Sequence, residues 1–149
     1  MHGQAKAPAA GTILNALATG TGSAFAIEEY TTATVELHTD GDGVTGTVAE
    51  DDDADTRLIE TCVEYVLDAH GGPDVTGGHV ETESEVPMAS GLKSSSAAAN
   101  ATVMATLDAL DATGRMTRED MARLGVMAAR DVGVTVTGAF DDATASMLG

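Results

Sequence analysis

The run Pro87-Met88-Ala89-Ser90-Gly91-Leu92-Lys93-Ser94-Ser95-Ser96-Ala97 continues into Ala98, Ala99, Asn100 and Ala101, and no other stretch leaves this chain less conformational choice. Alanine is the strongest helix former, so the segment after Ser96 is expected to be helical. Serines just before it are favoured N-caps, because a hydroxyl can accept from the free N–H groups of the first turn. Those N–H groups, with the helix dipole behind them, attract anions. Gly91 lets the backbone come close to a ligand. Lys93, one of only two lysines in the chain with Lys6, adds a point charge suited to phosphate. The local chemistry points to phosphate binding, and an ordinary serine-capped helix is the alternative these residues leave open. The spacing is neither that of a Walker A loop nor that of a dinucleotide-binding fingerprint.

The rest of the chain limits what such a helix can serve. A length of 149 residues fits one domain with a real core. The net charge is −17, from 24 acidic and 7 basic residues. That excess argues against nucleic acid or an anionic membrane surface as partner, since both require basic patches. With 43% hydrophobic residues the chain is expected to be folded, with a carboxylate-rich surface of the halophilic kind. Cys62 is the single cysteine, and it falls on an apolar helix face as a small buried hydrophobe. The histidines His2, His38, His70 and His79 show no metal-ligand spacing. No apolar run has the length of a membrane span, and no signal-peptide pattern opens the chain. A soluble, cytoplasmic protein is the expectation.

Taken in order, Ala5 to Leu14 reads as an extended segment entering a buried strand, with Gly20, Gly22 and Ser23 marking a loop. From Thr32 to His38 the pattern alternates, with Ala33, Val35 and Leu37 on one face. Asp40 to Gly43 is a turn signal, and Val44 to Ala49 is expected to return as the hairpin partner. The acidic run Glu50 to Asp55 leads into a helix over about Thr56 to Ala69. Ile59, Cys62, Val63, Val66 and Leu67 form its apolar stripe. His79 to Val86 reads as an exposed strand with Val80 inward. The alanine-rich helix runs to about Asp111 with an apolar face of Val103, Leu107 and Leu110. Thr117-Arg118-Glu119-Asp120 has the capping-box pattern for a third helix, striped by Met121, Leu124 and Ala128 and ended by Gly133.

A second informative stretch runs from Val134 to Ser146, where an alternating segment leads to the adjacent aspartates Asp141 and Asp142. Neighbouring carboxylates can serve a magnesium ion or take a proton from an attacking hydroxyl. By spacing alone, an aspartate N-cap opening a short helix explains them equally well.

The string P-x-x-x-G-L-x-S-S-S-A, from Pro87 to Ala97, resembles the phosphate loop of the GHMP kinases, whose common form is P-x-x-x-G-L-G-S-S-A. Lys93 stands at the glycine position of that form. Within the superfamily the loop looks closest to that of the archaeal shikimate kinases. G-T-I-L-N-A-x-A-T-G-x-G-S-A-F, from Gly11 to Phe25, resembles the N-terminal motif of the same branch, which lines the substrate side of the cleft. T-G-A-F-D-D-A-T-A-S, from Thr137 to Ser146, is similar to the S-G-x-D-N-A segment of the mevalonate kinase branch, with Asp141 at the position of the catalytic aspartate.

This resemblance implies an α+β fold, the two-layer ribosomal protein S5 domain 2-like N-terminal domain of the GHMP kinases. It implies ATP and Mg2+ as cofactors and shikimate as substrate, phosphorylated on its 3-hydroxyl; homoserine kinase-like activity and an inactive nucleotide-binding fragment are the alternatives. It places ATP phosphates on the backbone of Pro87 to Ala97, assigns Asp141 as the group acting on the hydroxyl, and makes Ser95 and Asp131 metal ligands. Family members run to roughly twice this length. Their second half carries a glycine-rich loop that has no counterpart here. Residues 1–149 are therefore expected to be the N-terminal domain, without the C-terminal one and without turnover by themselves.

Overall fold

The computed structural model describes residues 1–14, 23–85 and 94–133, together with Met147. Its elements are β1 (His2–Leu14), β2 (Ser23–His38), β3 (Gly43–Val48), α1 (Arg57–His70), β4 (Gly77–Ser84), α2 (Ser94–Ala109) and α3 (Arg118–Asp131). A short 3-10 turn over Thr113–Arg115 precedes α3. The strands form one sheet in the order β1-β2-β4-β3.

The alternation in β2 does what period-two patterning requires: Thr31, Ala33, Val35 and Leu37 are buried while Glu36 is exposed. In β4, Val80 and Thr82 face inward and Glu81 and Glu83 outward. The expected hairpin between β2 and β3 does not form. β4 lies between them, antiparallel to β2 with Val35 opposite Val80, and parallel to β3 with Gly46 opposite Val80. Parallel neighbours need a crossover rather than a tight turn, and α1 supplies it between β3 and β4. Alternation and a turn signal establish that a strand exists, but not which strand it pairs with.

Helix α1 buries Leu58, Ile59, Cys62, Val63 and Val66, close to the expected stripe. At its start the Thr56 hydroxyl donates to Glu60 at 2.7 Å instead of capping the backbone. Helix α3 is capped as its sequence suggests, the Thr117 hydroxyl accepting from the Asp120 N–H at 3.1 Å. Gly133 ends it at φ +79°, a conformation glycine adopts without strain.

Helix α2 departs from expectation in being buried almost all round. Ala101, Ala105 and Ala109 pack towards the sheet with Ala33, Val35 and Val80. Ala99, Val103 and Leu107 pack on the other side against α1 and α3. Alanine makes this possible, because small side chains let a helix approach on several sides at once. The architecture is α+β: a sheet layer and a helical layer of α1 and α2, with α3 packed on the outside of those two helices. Among the described residues no helix is long and apolar enough to cross a membrane.

Candidate functional site

The first turns of α1 and α2 converge on the ends of β3 and β4, leaving a cleft of about 230 Å³. Val48, Leu58, Ile59 and Ala98 give it apolar walls, while Thr31, Thr82, Ser84, Glu50, Asp55 and Ser95 supply polar groups. The buried Thr31 hydroxyl lies 3.0 Å from that of Ser84. The Glu50 carboxylate accepts from the Ser84 backbone N–H, which ties the loop after β3 to the end of β4. Asp55 accepts from Arg57 at 2.9 Å and 2.6 Å. Those bonds hold the Asp55 carboxyl down at about 2 and raise the Arg57 guanidinium above its ordinary value. The two charges satisfy one another at the rim, so a ligand entering the cleft meets mostly apolar surface.

Ser94 opens α2; Ser95 in its first turn is exposed and lines the cleft, Ser96 is half-buried and Ala97 fully buried. The free N–H groups of that turn are thus at the cleft mouth, where an anion would be stabilised. Pro87, Met88, Ala89, Ser90, Gly91, Leu92 and Lys93, and the aspartate Asp141, lie outside the described residues.

Asp131 is the last residue of α3. Two contacts give the register of α3 against α2: Arg118 Nη1 donates to Met104 Sδ at 3.9 Å, and a Cβ on Gly125 would stand 3.3 Å from the Ala99 Cβ. A step forward on α3 is therefore a step back on α2. Asp131, about 9 Å beyond Gly125 at the helical rise, comes level with the first turn of α2. Its carboxylate accepts from the hydroxyl of Tyr65 on α1, a bond that raises the tyrosine pKa. The resemblance named Asp131 as a candidate and did not point to Tyr65 or Glu50. Tyr65 sits between the apolar positions of α1 and carries no local signal of its partner 66 residues away.

Among the described residues no three His, Cys, Asp or Glu side chains come together as a metal site. A nucleotide-bound magnesium does not need that, since it is usually held by one or two protein oxygens together with phosphate oxygens and water. The Ser95 hydroxyl and the Asp131 carboxylate are hard oxygen donors at the same end of the α2–α3 pair, so the residues present fit such an ion. Cys62 has no part in the site: burial pushes its thiol up to about 12.

The family model for the GHMP kinases N terminal domain matches residues 57–149, which is more than half of the sequence. The chain belongs to the GHMP kinases. Among curated relatives of this kinase-family chain, a shikimate kinase of Halobacterium salinarum is 64% identical over 149 residues, covering 100% of this chain and 52% of its own length. A shikimate kinase of Methanosarcina mazei is 54% identical, again over 100% of this chain and 50% of the relative. The chain spans about half the length of the curated relatives it matches. Of solved structures, homoserine kinase from Cytophaga hutchinsonii overlays with a TM-score of 0.72 at 19% identity, over 99% of this chain and 46% of that one. A complex described as MDDEF with MVAPP, AMPPCP and magnesium overlays at 0.70 and 18% identity, over 98% of this chain and 44% of that one. At such identities these two overlays speak for the fold alone.

Proposed function

We propose that this chain is the ATP-binding half of a kinase that transfers the γ-phosphoryl group of ATP to the 3-hydroxyl of shikimate. The observation that carries the reading is 64% identity with a shikimate kinase over all 149 residues of this chain, a span that includes the three sequence motifs and about half of that relative. The geometry supports it: an apolar cleft able to take a purine opens beside the first turn of α2, where phosphate would be stabilised.

In this reading the base lies between Leu58, Ile59 and Ala98. The phosphates rest on backbone N–H groups between Gly91 and Ser96, with Lys93 adding positive charge. Ser95 and Asp131 hold magnesium, which when bound neutralises charge on the phosphoryl oxygens. Asp141 orients the shikimate hydroxyl and accepts its proton as the new P–O bond forms. Catalysis of this kind is positioning and charge neutralisation, so an incomplete enclosure costs heavily in rate. We therefore expect the 149 residues alone to bind nucleotide without turning over shikimate, and a chain of the relatives' full length to do both.

The test pairs two measurements. Calorimetry on the 149-residue chain in molar KCl should show Mg2+-dependent binding of a non-hydrolysable ATP analogue. An ADP-release assay should read background for this chain and shikimate-dependent turnover for a chain of the relatives' full length. Failure of shikimate, with turnover of another small alcohol such as homoserine, would overturn the substrate assignment while keeping the kinase.

A further inference from the structure

We infer that Tyr65 is a positioning residue for the cation site, its hydroxyl holding the Asp131 carboxylate level with the first turn of α2. The inference rests on the reading above in taking Asp131 as a magnesium ligand.

The placement of Asp131 is the first reason. A carboxylate on the last residue of a helix sits at the negative end of the helix dipole, where aspartate is disfavoured. Arg130 in the same turn is where a favourable charge would be expected, yet Asp131 takes its hydrogen bond from another helix. Such a position calls for donors or a cation in front of the carboxylate. Tyr65 provides one donor, and it engages only Oδ2. Among the described residues Oδ1 has no partner, so the phenol fixes the group while leaving an oxygen available.

The second reason is the architecture of the tie. Tyr65 projects from the middle of α1, a helix anchored on both core clusters through Leu58, Ile59, Cys62, Val63 and Val66. Asp131 ends α3, which packs on the outside of α1 and α2, and beyond buried Ala128 the last turn runs out to exposed Arg130 and Asp131. A bond from rigid α1 to the tip of α3 therefore restricts the one group whose own helix would let it drift. Partners that orient a metal-binding carboxylate commonly matter about tenfold or more for metal affinity.

The test uses the 149-residue chain with Mn2+ as the probe, its free concentration read by electron paramagnetic resonance with and without a non-hydrolysable ATP analogue. Tyr65→Phe keeps the ring and deletes the hydroxyl. It should weaken analogue-dependent Mn2+ binding about tenfold, with metal-free analogue affinity and Tm essentially unchanged. Asp131→Asn should weaken it at least as much. If Asp131→Asn weakens Mn2+ binding and Tyr65→Phe does not, the positioning role is overturned and the metal reading stands. If neither substitution matters, or the unsubstituted chain shows no analogue-dependent Mn2+ binding, the metal reading falls and the inference with it. A drop in Tm with unchanged Mn2+ affinity for Tyr65→Phe reduces the bond to a helix–helix tie and overturns the inference.

Discussion

Gly3 on β1 lies directly against Ala105 on α2: a Cβ at position 3 would stand 2.2 Å from the Ala105 carbonyl oxygen. The same atom would meet the Ala109 amide nitrogen at 2.3 Å. Both obstacles are backbone in a largely buried helix, so neither can turn away. The approach brings strand and central helix together with no side chain between them, and it sets how deeply α2 sits on the sheet.

Gly3→Ala should therefore force β1 and α2 apart. Overpacking of this kind costs about 1–3 kcal/mol, and backbone obstacles place this substitution at the upper end. A thermal melt should show a Tm several degrees lower. Gly114→Ala is the control, because a Cβ there meets nothing within 4 Å, and it should leave Tm unchanged.

The Cys62 thiol should be silent in the folded chain. Its pKa is raised from an ordinary 9.0 to about 12 by burial, so the neutral form is the one the fold holds. A raised pKa contributes stability that is complete below pH 9 and is lost as pH climbs towards 12. Ellman's reagent at pH 8 should react slowly with native protein and rapidly in guanidinium. Cys62→Ala, though less stable overall, should show a shallower alkaline decline between those limits.

Salt should stabilise this chain. The net charge is −17, and Glu81 and Glu83 are exposed on the outer face of β4 while Asp51, Asp52 and Asp53 stand together in solvent before α1. Screening length falls from about 10 Å at 0.1 M to about 3 Å at 1 M, which removes most repulsion between such groups. Tm should rise steadily from dilute buffer to molar KCl, and a flat or falling Tm would count against a salt-adapted surface.

Much of the fold was legible because its signals are local. The stripe of α1, the Thr117 cap of α3 and the alternation of β2 each depend on neighbours within a turn or two, and each is found where the residues place it. The partner of β3 was not legible, since Val44 to Val48 alternates equally well beside β2 or β4 and the choice is made by the path of α1. The central place of α2 was also hidden. Alanines announce a helix but say little about how many sides are covered, and only the contact with Gly3 reveals the depth of packing. Ser95 and Asp131 are candidates proposed from motif position, whereas Tyr65 and Glu50 make their contacts across 66 and 34 positions through single hydrogen bonds. No short-range pattern encodes such pairs.

Ser95→Ala separates a ligand from an ordinary residue of the first helical turn. Ser95 lies inside α2, so with no ligand role its replacement by alanine, the better helix former, should leave stability nearly unchanged. Ser95 is exposed and borders the cleft, so its hydroxyl is free to face a bound phosphate or metal. A hydrogen bond to a charged group contributes about 1.5–3 kcal/mol, which predicts roughly tenfold or greater weakening of the magnesium–analogue complex. Calorimetry beside a thermal melt decides the matter: unchanged affinity would leave Ser95 as a surface residue of the first turn with no ligand role.

The last prediction distinguishes the two adjacent aspartates. In the proposed register Asp141 takes the catalytic position of the S-G-x-D-N-A pattern and Asp142 its asparagine, and both lie outside the described residues. A carboxylate at Asp141 can accept the hydroxyl proton, and general-base help is typically worth about 10²–10⁴ in rate. Asp141→Asn keeps the shape and removes both charge and basicity. In the chain of full relative length it should lower kcat by about that factor while ATP affinity is largely kept. Asp142→Asn installs the residue of the common pattern and should be much milder. If Asp142→Asn proves the more damaging of the two, the register of this segment is shifted by one residue. Asp142 would then be the base, and the hydroxyl would approach from one position further along the chain.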